Sequence, residues 1–148
     1  MATYTQIMYH LVFSTKNRAP VLTENRRRDL YKYIWGILKN KRCHLYRIGG
    51  VDDHLHILTS LHPTVSPADL IKDMKVATSE WIKDNGVFAG FDYWQEGYGG
   101  FTHSAADRDR LIEYIKNQEQ HHRTKTFREE YLELLKEAGI EYDERLGI

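Results

Sequence analysis

Two short runs in this 148-residue chain carry side chains that could do chemistry together. The first is His54-Leu55-His56. Successive side chains of a strand point to opposite faces, so the two imidazoles share one face and Leu55 shares the other with Ile57. Two imidazoles at that spacing can bind one divalent metal, although ordinary surface or core histidines show the same pattern. The second run is Tyr114-Ile115-Lys116-Asn117-Gln118. On a helix, Tyr114 and Gln118 stand one turn apart on one face, with His121 close by. A tyrosine hydroxyl can form covalent intermediates. Its ordinary pKa of about 10 means that attack on a phosphate needs a metal, a base or both. A glutamine amide oxygen one turn away could reach such a metal. The plainer alternative is a helix-edge tyrosine beside a solvated glutamine.

Elements that would position these residues can be read from pattern. Residues 7–14 (IMYHLVFS) are rich in β-branched and aromatic types and predict a strand. Residues 25–41 predict a helix with Leu30, Ile34, Ile37 and Leu38 on one face. Residues 43–48 predict a second strand, Gly49 to Asp53 a turn, and residues 54–61 a third strand paired antiparallel with the second. Ser66, Pro67 and Asp69 open a helix with Leu70, Met74, Ala77 and Trp81 as its apolar stripe, closed by Asn85-Gly86. Residues 91–103 predict a fourth strand with a bend at Gly97 to Gly100. Ser104 to Asp107 open a helix running to about residue 120, and Thr126-Phe127-Arg128-Glu129 is a capping box for a last helix ended by Gly139. The order is β-α-β-β-α-β plus two helices. That is an α+β, ferredoxin-like antiparallel sheet with two helices on one face and the other face available, followed by a tyrosine-bearing helix and a further helix.

Length and composition fit one domain over residues 1–148, with 41% hydrophobic and 28% charged residues. No apolar run approaches the roughly 20 residues that span a bilayer. The N-terminus lacks the pattern of a signal peptide, so no membrane association and a cytoplasmic location are expected. Cys43 is the single cysteine, which excludes an internal disulfide and a cysteine-based zinc cluster. Net charge is zero, but residues 16–47 hold ten Lys/Arg against two Asp/Glu, and residues 126–148 hold three against seven. Basic clusters suit phosphate backbones. Lys16, Arg18, Arg26, Arg27 and Arg28 are therefore candidate DNA contacts, with a solvated helix face as the alternative. His121-His122 could support Tyr114, contact phosphate, or merely suit a helix end. Tyr93, Trp94 and Tyr98 could stack on bases, though core packing is the expected role. The acidic tail reads as a dimer element or a solvated helix.

Four segments occur in a telling order: Tyr9-His10-Leu11-Val12-Phe13-Ser14-Thr15-Lys16, Val51 to Ile57 with the histidine pair, Tyr93-Trp94-Gln95-Glu96-Gly97-Tyr98-Gly99, and Tyr114 to Gln118. Together, over about residues 7–120, they resemble the single-tyrosine insertion-sequence transposases with a His-hydrophobic-His (HUH) motif. The resemblance implies that His54, His56 and Gln118 hold a divalent metal, Mg2+ or Mn2+. It implies that Tyr114 attacks single-stranded DNA with hairpin-forming ends, forming a 5′-phosphotyrosine and freeing a 3′-hydroxyl, and that the protein works as a homodimer. Two other readings remain at this level. One is a related nicking enzyme or a domesticated, repeat-processing relative. The other is a non-catalytic nucleic-acid-binding module, which would leave the His54, His56, Tyr114 and Gln118 set unexplained.

Overall fold

The first apolar run forms β1 (Met8–Ser14). The next segment forms α1 (Glu24–Asn40), which buries Leu30, Ile34 and Leu38 at helical spacing. In this computed structural model, which describes residues 1–143, β2 (His44–Gly50), β3 (His54–Ser60), α2 (Pro67–Asn85) and β4 (Gly99–His103) follow. Residues 144–148, the end of the acidic segment, lie outside the described residues. Strand order is β2-β3-β1-β4 and every pair is antiparallel. The expected β-α-β-β-α-β sheet is therefore present. Leu11, Phe13, Leu55 and Ile57 face α1 and α2 in the main core.

Local signals explain α2 well. The Ser66 hydroxyl accepts from the Asp69 amide at 3.1 Å, and Gly86 closes the helix with φ 57°. Its buried stripe is rotated from the expected one. Leu70, Ile71, Met74, Thr78 and Ile82 are buried, whereas Ala77 and Trp81 lie half-buried at the margin. The cause is the segment before β4. The Trp94 indole donates to the Thr78 hydroxyl at 2.9 Å, and the Lys75 ammonium donates to the Gln95 and Gly97 carbonyls, each at 2.7 Å. That segment is irregular rather than extended, so β4 is shorter than residues 91–103 suggested. Trp94 is core, while Tyr93 and Tyr98 stay exposed.

Two other expectations need correction. Gly49 and Gly50 are not the turn. They continue β2, opposite His56 and Leu55. A Cβ on Gly49 would stand 2.5 Å from the Ile115 carbonyl oxygen, so the missing side chain lets the following helix lie directly on the strand. The second sheet face is also not open. It is covered by α3 (Arg108–Lys116), the single turn α4 (Gln118–His121) and α5 (Phe127–Glu137). The face is too apolar to stay in water. Met8 and Leu58 pack with Leu111 and Ile115, and Val12 and Phe101 pack with Phe127 and Leu135. Each such side chain contributes about 1.5–3 kcal/mol on burial. Packing therefore holds the cover in place far more than the exposed ion pairs do.

The helix expected over residues 104–120 is interrupted. A 3-10 turn, Ala105–Asp107, precedes α3, and Asn117 (φ −95°, ψ 20°) separates α3 from α4. The capping box of α5 is formed as expected, with the Thr126 hydroxyl and the Glu129 carboxylate each bonded to the other's amide at 3.2 Å. Gly139, with φ 69°, follows its end.

Candidate metal and nucleophile site

His54 and His56 lie on the sheet face opposite α1 and α2, as strand alternation requires, but they are fully buried beneath α3 to α5. Each ring is oriented through Nδ1. His54 Nδ1 lies 2.7 Å from the Asp53 carboxylate, and His56 Nδ1 lies 2.8 Å from His10 Nε2. His10 stands on β1, on the same face as Val12, which is paired with His56. Both Nε2 atoms point at one carboxylate. Glu130 Oε1, from α5, is 3.3 Å from His54 Nε2 and 3.0 Å from His56 Nε2. His122 Nε2 reaches the same oxygen at 2.9 Å.

The other Glu130 oxygen holds the helix pair. It accepts the Tyr114 hydroxyl in a short hydrogen bond and the Gln118 amide N–H at 2.9 Å. The Gln118 amide oxygen faces His54 Nε2 and His122 Nε2, each at 3.1 Å. The break at Asn117 thus leaves Tyr114 and Gln118 side by side, and one chain alone brings both to its own histidine pair. Tyr114 is half-buried, and His121 packs against its ring at 5.0 Å.

Protonation follows from the partners. His54 offers both nitrogens to acceptors, which only an imidazolium can satisfy. Burial opposes that charge, but the bonds to Asp53 and Glu130 outweigh it and raise its pKa to about 9. Burial dominates at His56 and lowers its pKa to about 4. A neutral His56 that donates from Nε2 to Glu130 must accept at Nδ1 from His10. His10 Nδ1 is then a buried acceptor, and it has no hydrogen-bond partner among the described residues. Burial alone would raise the Glu130 pKa, but hydrogen bonds from His122, His54 and His56 hold it far below the ordinary carboxylate range. Burial, then the charge of Glu130 and its hydrogen bond, push the Tyr114 hydroxyl well above its ordinary value. In this arrangement Tyr114 is a donor and not a phenolate.

A pH dependence of stability follows with opposite signs on two sides. The raised His54 pKa stabilises the fold fully below about pH 6.5, and that contribution is lost as pH rises through about 9. The lowered His56 pKa stabilises above about pH 6.5, and its contribution is lost as pH falls toward about 4. Glu130 reinforces the acid-side loss. Chelator-treated protein is expected to be most stable near pH 6.5. It should lose on the order of 3 kcal/mol by pH 9, read by urea unfolding at stepped pH. A flat profile between pH 6.5 and 9 would contradict an imidazolium at His54.

The other predicted residues are dispersed. Lys16 pairs with Asp92 at 3.3 Å and Arg26 with Asp29 at 2.9 Å, both in solvent. Arg18 follows Asn17 in a tight turn where both have positive φ. Arg28 is exposed and borders an open groove with Tyr31, Tyr46 and Arg47. Arg27 is buried, and its guanidinium donates to the Leu22 carbonyl at 2.7 Å and to Glu119 at 2.9 Å. It ties α1 to α4 rather than facing solvent.

Three residues of the site escaped sequence reasoning: Glu130, His10 and Asp53. His122 was considered as a support for Tyr114, a phosphate contact or a helix-end histidine, but not as a partner of Glu130. One signal for Glu130 existed. It stands three residues after Phe127 and four before Leu134, on the buried face of α5.

A four-stranded antiparallel sheet, a histidine pair on a central strand and a tyrosine–glutamine pair on the covering helices together define a recognisable class. The family described as "Transposase IS200 like" matches residues 3–118, and this chain belongs to it. Its class is therefore that of enzymes of DNA recombination. The crystal structure of a candidate transposase from Deinococcus radiodurans R1 is similar, with 25% identity and a TM-score of 0.59. The match covers 80% of this chain and 95% of that one. The structure of a REP-associated tyrosine transposase bound to a REP hairpin shares the fold, with 14% identity and a TM-score of 0.57. It covers 79% of this chain and 72% of that one. No match was found among curated proteins. The family match ends at Gln118, so His122 and Glu130 lie beyond it. Among the described residues no helix is long and apolar enough to cross a membrane.

Proposed function

We propose that this transposase cuts and rejoins single-stranded DNA at insertion-sequence ends through a 5′-phosphotyrosine on Tyr114. The supporting observation is convergence: His54 and His56 from one strand, Tyr114 from α3 and Gln118 from α4 all meet one carboxylate. The donor set suits a divalent cation. His54, His122 and Glu130 each offer one ligand atom, and these atoms lie within 4.8 Å of one another. His54 and His56, with the Gln118 amide oxygen, would hold Mg2+ or Mn2+. When bound, such an ion supplies Lewis acidity to a phosphoryl oxygen.

The chain's own residues account for the rest. The Tyr114 oxygen attacks phosphorus, a new tyrosyl–phosphate bond forms, and the bond to the 3′ oxygen breaks. The tyrosine proton leaves the phenol and a proton ends on the freed 3′-hydroxyl, so the step is balanced and needs no nucleotide cofactor. The reverse reaction with another 3′-hydroxyl rejoins strands. Gln118 and His121 hold the ring's neighbourhood, and Asp53 and His10 keep the histidine rings in register.

The substrate we infer is single-stranded DNA with hairpin-forming ends, a reading favoured by the hairpin bound to the REP-associated relative. Lys16, Arg18, Arg26 and Arg28 are the proposed phosphate contacts. Arg27 serves internally. The whole of residues 1–148 is taken as one transposase domain working in the cytoplasm. The homodimer rests on the family resemblance alone, because the apolar second face of the sheet is covered within the chain. Light scattering with and without hairpin DNA is expected to give twice the chain mass, and a monomer in both conditions would remove the dimer. The central test is incubation with labelled single-stranded DNA carrying the element end, plus Mg2+ or Mn2+. A covalent adduct resistant to denaturation is expected, and its absence would exclude the phosphotyrosine route.

A further inference from the structure

We propose that His122 and Glu130 are metal ligands too, so that the ion sits among three imidazoles and a carboxylate, with the second Glu130 oxygen keeping the Tyr114 hydroxyl beside it. This rests on the metal-dependent reading above and adds two residues that lie beyond the family match.

Three observations carry it. First, Nε2 of His54, His56 and His122 stand 3.3, 3.0 and 2.9 Å from one Glu130 oxygen. Ligands that share an ion at about 2.0–2.2 Å lie about 3–4.4 Å from each other. The distances to the Glu130 oxygen fall at the short end of that range, and the ligand atoms of His54, His122 and Glu130 lie within 4.8 Å of one another. Second, all three rings are held through Nδ1, those of His54 and His122 by an oxygen acceptor and that of His56 by His10. Nδ1 of His54 meets the Asp53 carboxylate at 2.7 Å, Nδ1 of His56 meets His10 at 2.8 Å, and Nδ1 of His122 meets the Lys125 carbonyl at 2.7 Å. A carbonyl or carboxylate on Nδ1 fixes the hydrogen there and leaves Nε2 as the coordinating nitrogen of a neutral ring. His122 shares this arrangement, whereas a helix-end histidine facing water would not need it. Third, Glu130 is buried yet its two oxygens divide their work. One faces only imidazoles, and the other faces Tyr114 and Gln118.

The chemical consequence is selectivity. Three imidazole nitrogens favour Mn2+, Co2+ or Zn2+ over Mg2+, which prefers oxygen ligands and retained water. The opposite role for the same carboxylate would be to exclude the ion by occupying its place. The two roles predict opposite effects.

The test uses full-length protein without DNA, stripped with chelator and titrated with Mn2+ and with Mg2+ by calorimetry. His122→Gln and Glu130→Gln retain hydrogen-bonding groups and are checked for folding by thermal melting. His122→Ala and Glu130→Asp stand in if either fails to fold. The expected result is a loss of Mn2+ affinity of about tenfold or more in each variant, no change in His62→Ala, and tighter binding of Mn2+ than Mg2+ by wild type. Spin-echo spectra of bound Mn2+ should show three coupled imidazoles in wild type and two in His122→Gln. Unchanged affinity in the variants, tighter binding by Glu130→Gln, equal affinity for the two ions, or two imidazoles in wild type would each overturn the proposal. Because no DNA is present, failure of strand cleavage would fall on the phosphotyrosine reading and leave this result standing.

Discussion

Tyr114→Phe is expected to abolish the covalent protein–DNA adduct while leaving the fold and the metal site in place. The substitution removes one hydroxyl and keeps the ring, which packs beside Met8, Leu58, Leu111 and Ile115. Glu130 loses one donor but keeps His54, His56, His122 and Gln118. The buried carboxylate therefore stays satisfied, and the cost in stability is that of one hydrogen bond to a charged group, about 1.5–3 kcal/mol at most. The chemical loss is far larger. Without the nucleophile, adduct yield should fall at least about a thousandfold. Denaturing gels of labelled DNA read the adduct, and binding to the same DNA in native gels should persist. An adduct of undiminished yield would mean that another residue attacks.

His54→Ala is expected to give the largest loss of stability among the site variants, larger than His56→Ala. The two histidines look equivalent in sequence but differ in charge. His54 is the cation between Asp53 and Glu130, whereas His56 is neutral. Removing one partner of a buried ion pair leaves an uncompensated charge and costs about 3–5 kcal/mol. His56→Ala removes neutral hydrogen bonds and some volume, so it should cost about half as much. Urea unfolding of chelator-treated proteins at pH 6.5 measures both. Both variants should also lose stabilisation by added Mn2+. An equal or reversed order of the two would show that His54 does not carry the positive charge.

Much of the fold could be read from sequence because the signals were local. Ser66 to Asp69 and Thr126 to Glu129 each contain their own capping bonds within four residues. The common face of His54 and His56 followed from strand alternation alone. What escaped was decided by distant partners or hidden by averaging. The tail's net negative charge drew attention to its acidity, yet Glu130 shares a helix face with Phe127 and Leu134. The run Arg26-Arg27-Arg28 reads as one basic patch. Helical spacing nevertheless puts Arg27 three residues before Leu30 and seven before Ile34, at the head of the buried stripe. Gly49 resembled a turn because its real reason, the approach of Ile115, comes from a segment 66 positions later. His10 sits inside an apolar strand and shows its role only once β1 is seen pairing with β3.

The strand order has a dynamic consequence. β1 and β3 are the two interior strands of the sheet, each with a ladder on both sides, while β2 and β4 form its margins. His10, His54 and His56 therefore stand where amide exchange should be slowest, since it requires opening of the whole sheet. Tyr114, Gln118, His122 and Glu130 stand on helices and a loop that only lie over that sheet, one of them a single turn. These can open sub-globally and expose their amides while the interior strands stay protected. The two halves of the site are thus expected to belong to different cooperative units. Faster amide exchange in α3 to α5 than in β1 and β3 is the expected result of hydrogen-exchange measurements, and equal protection of the two would contradict it.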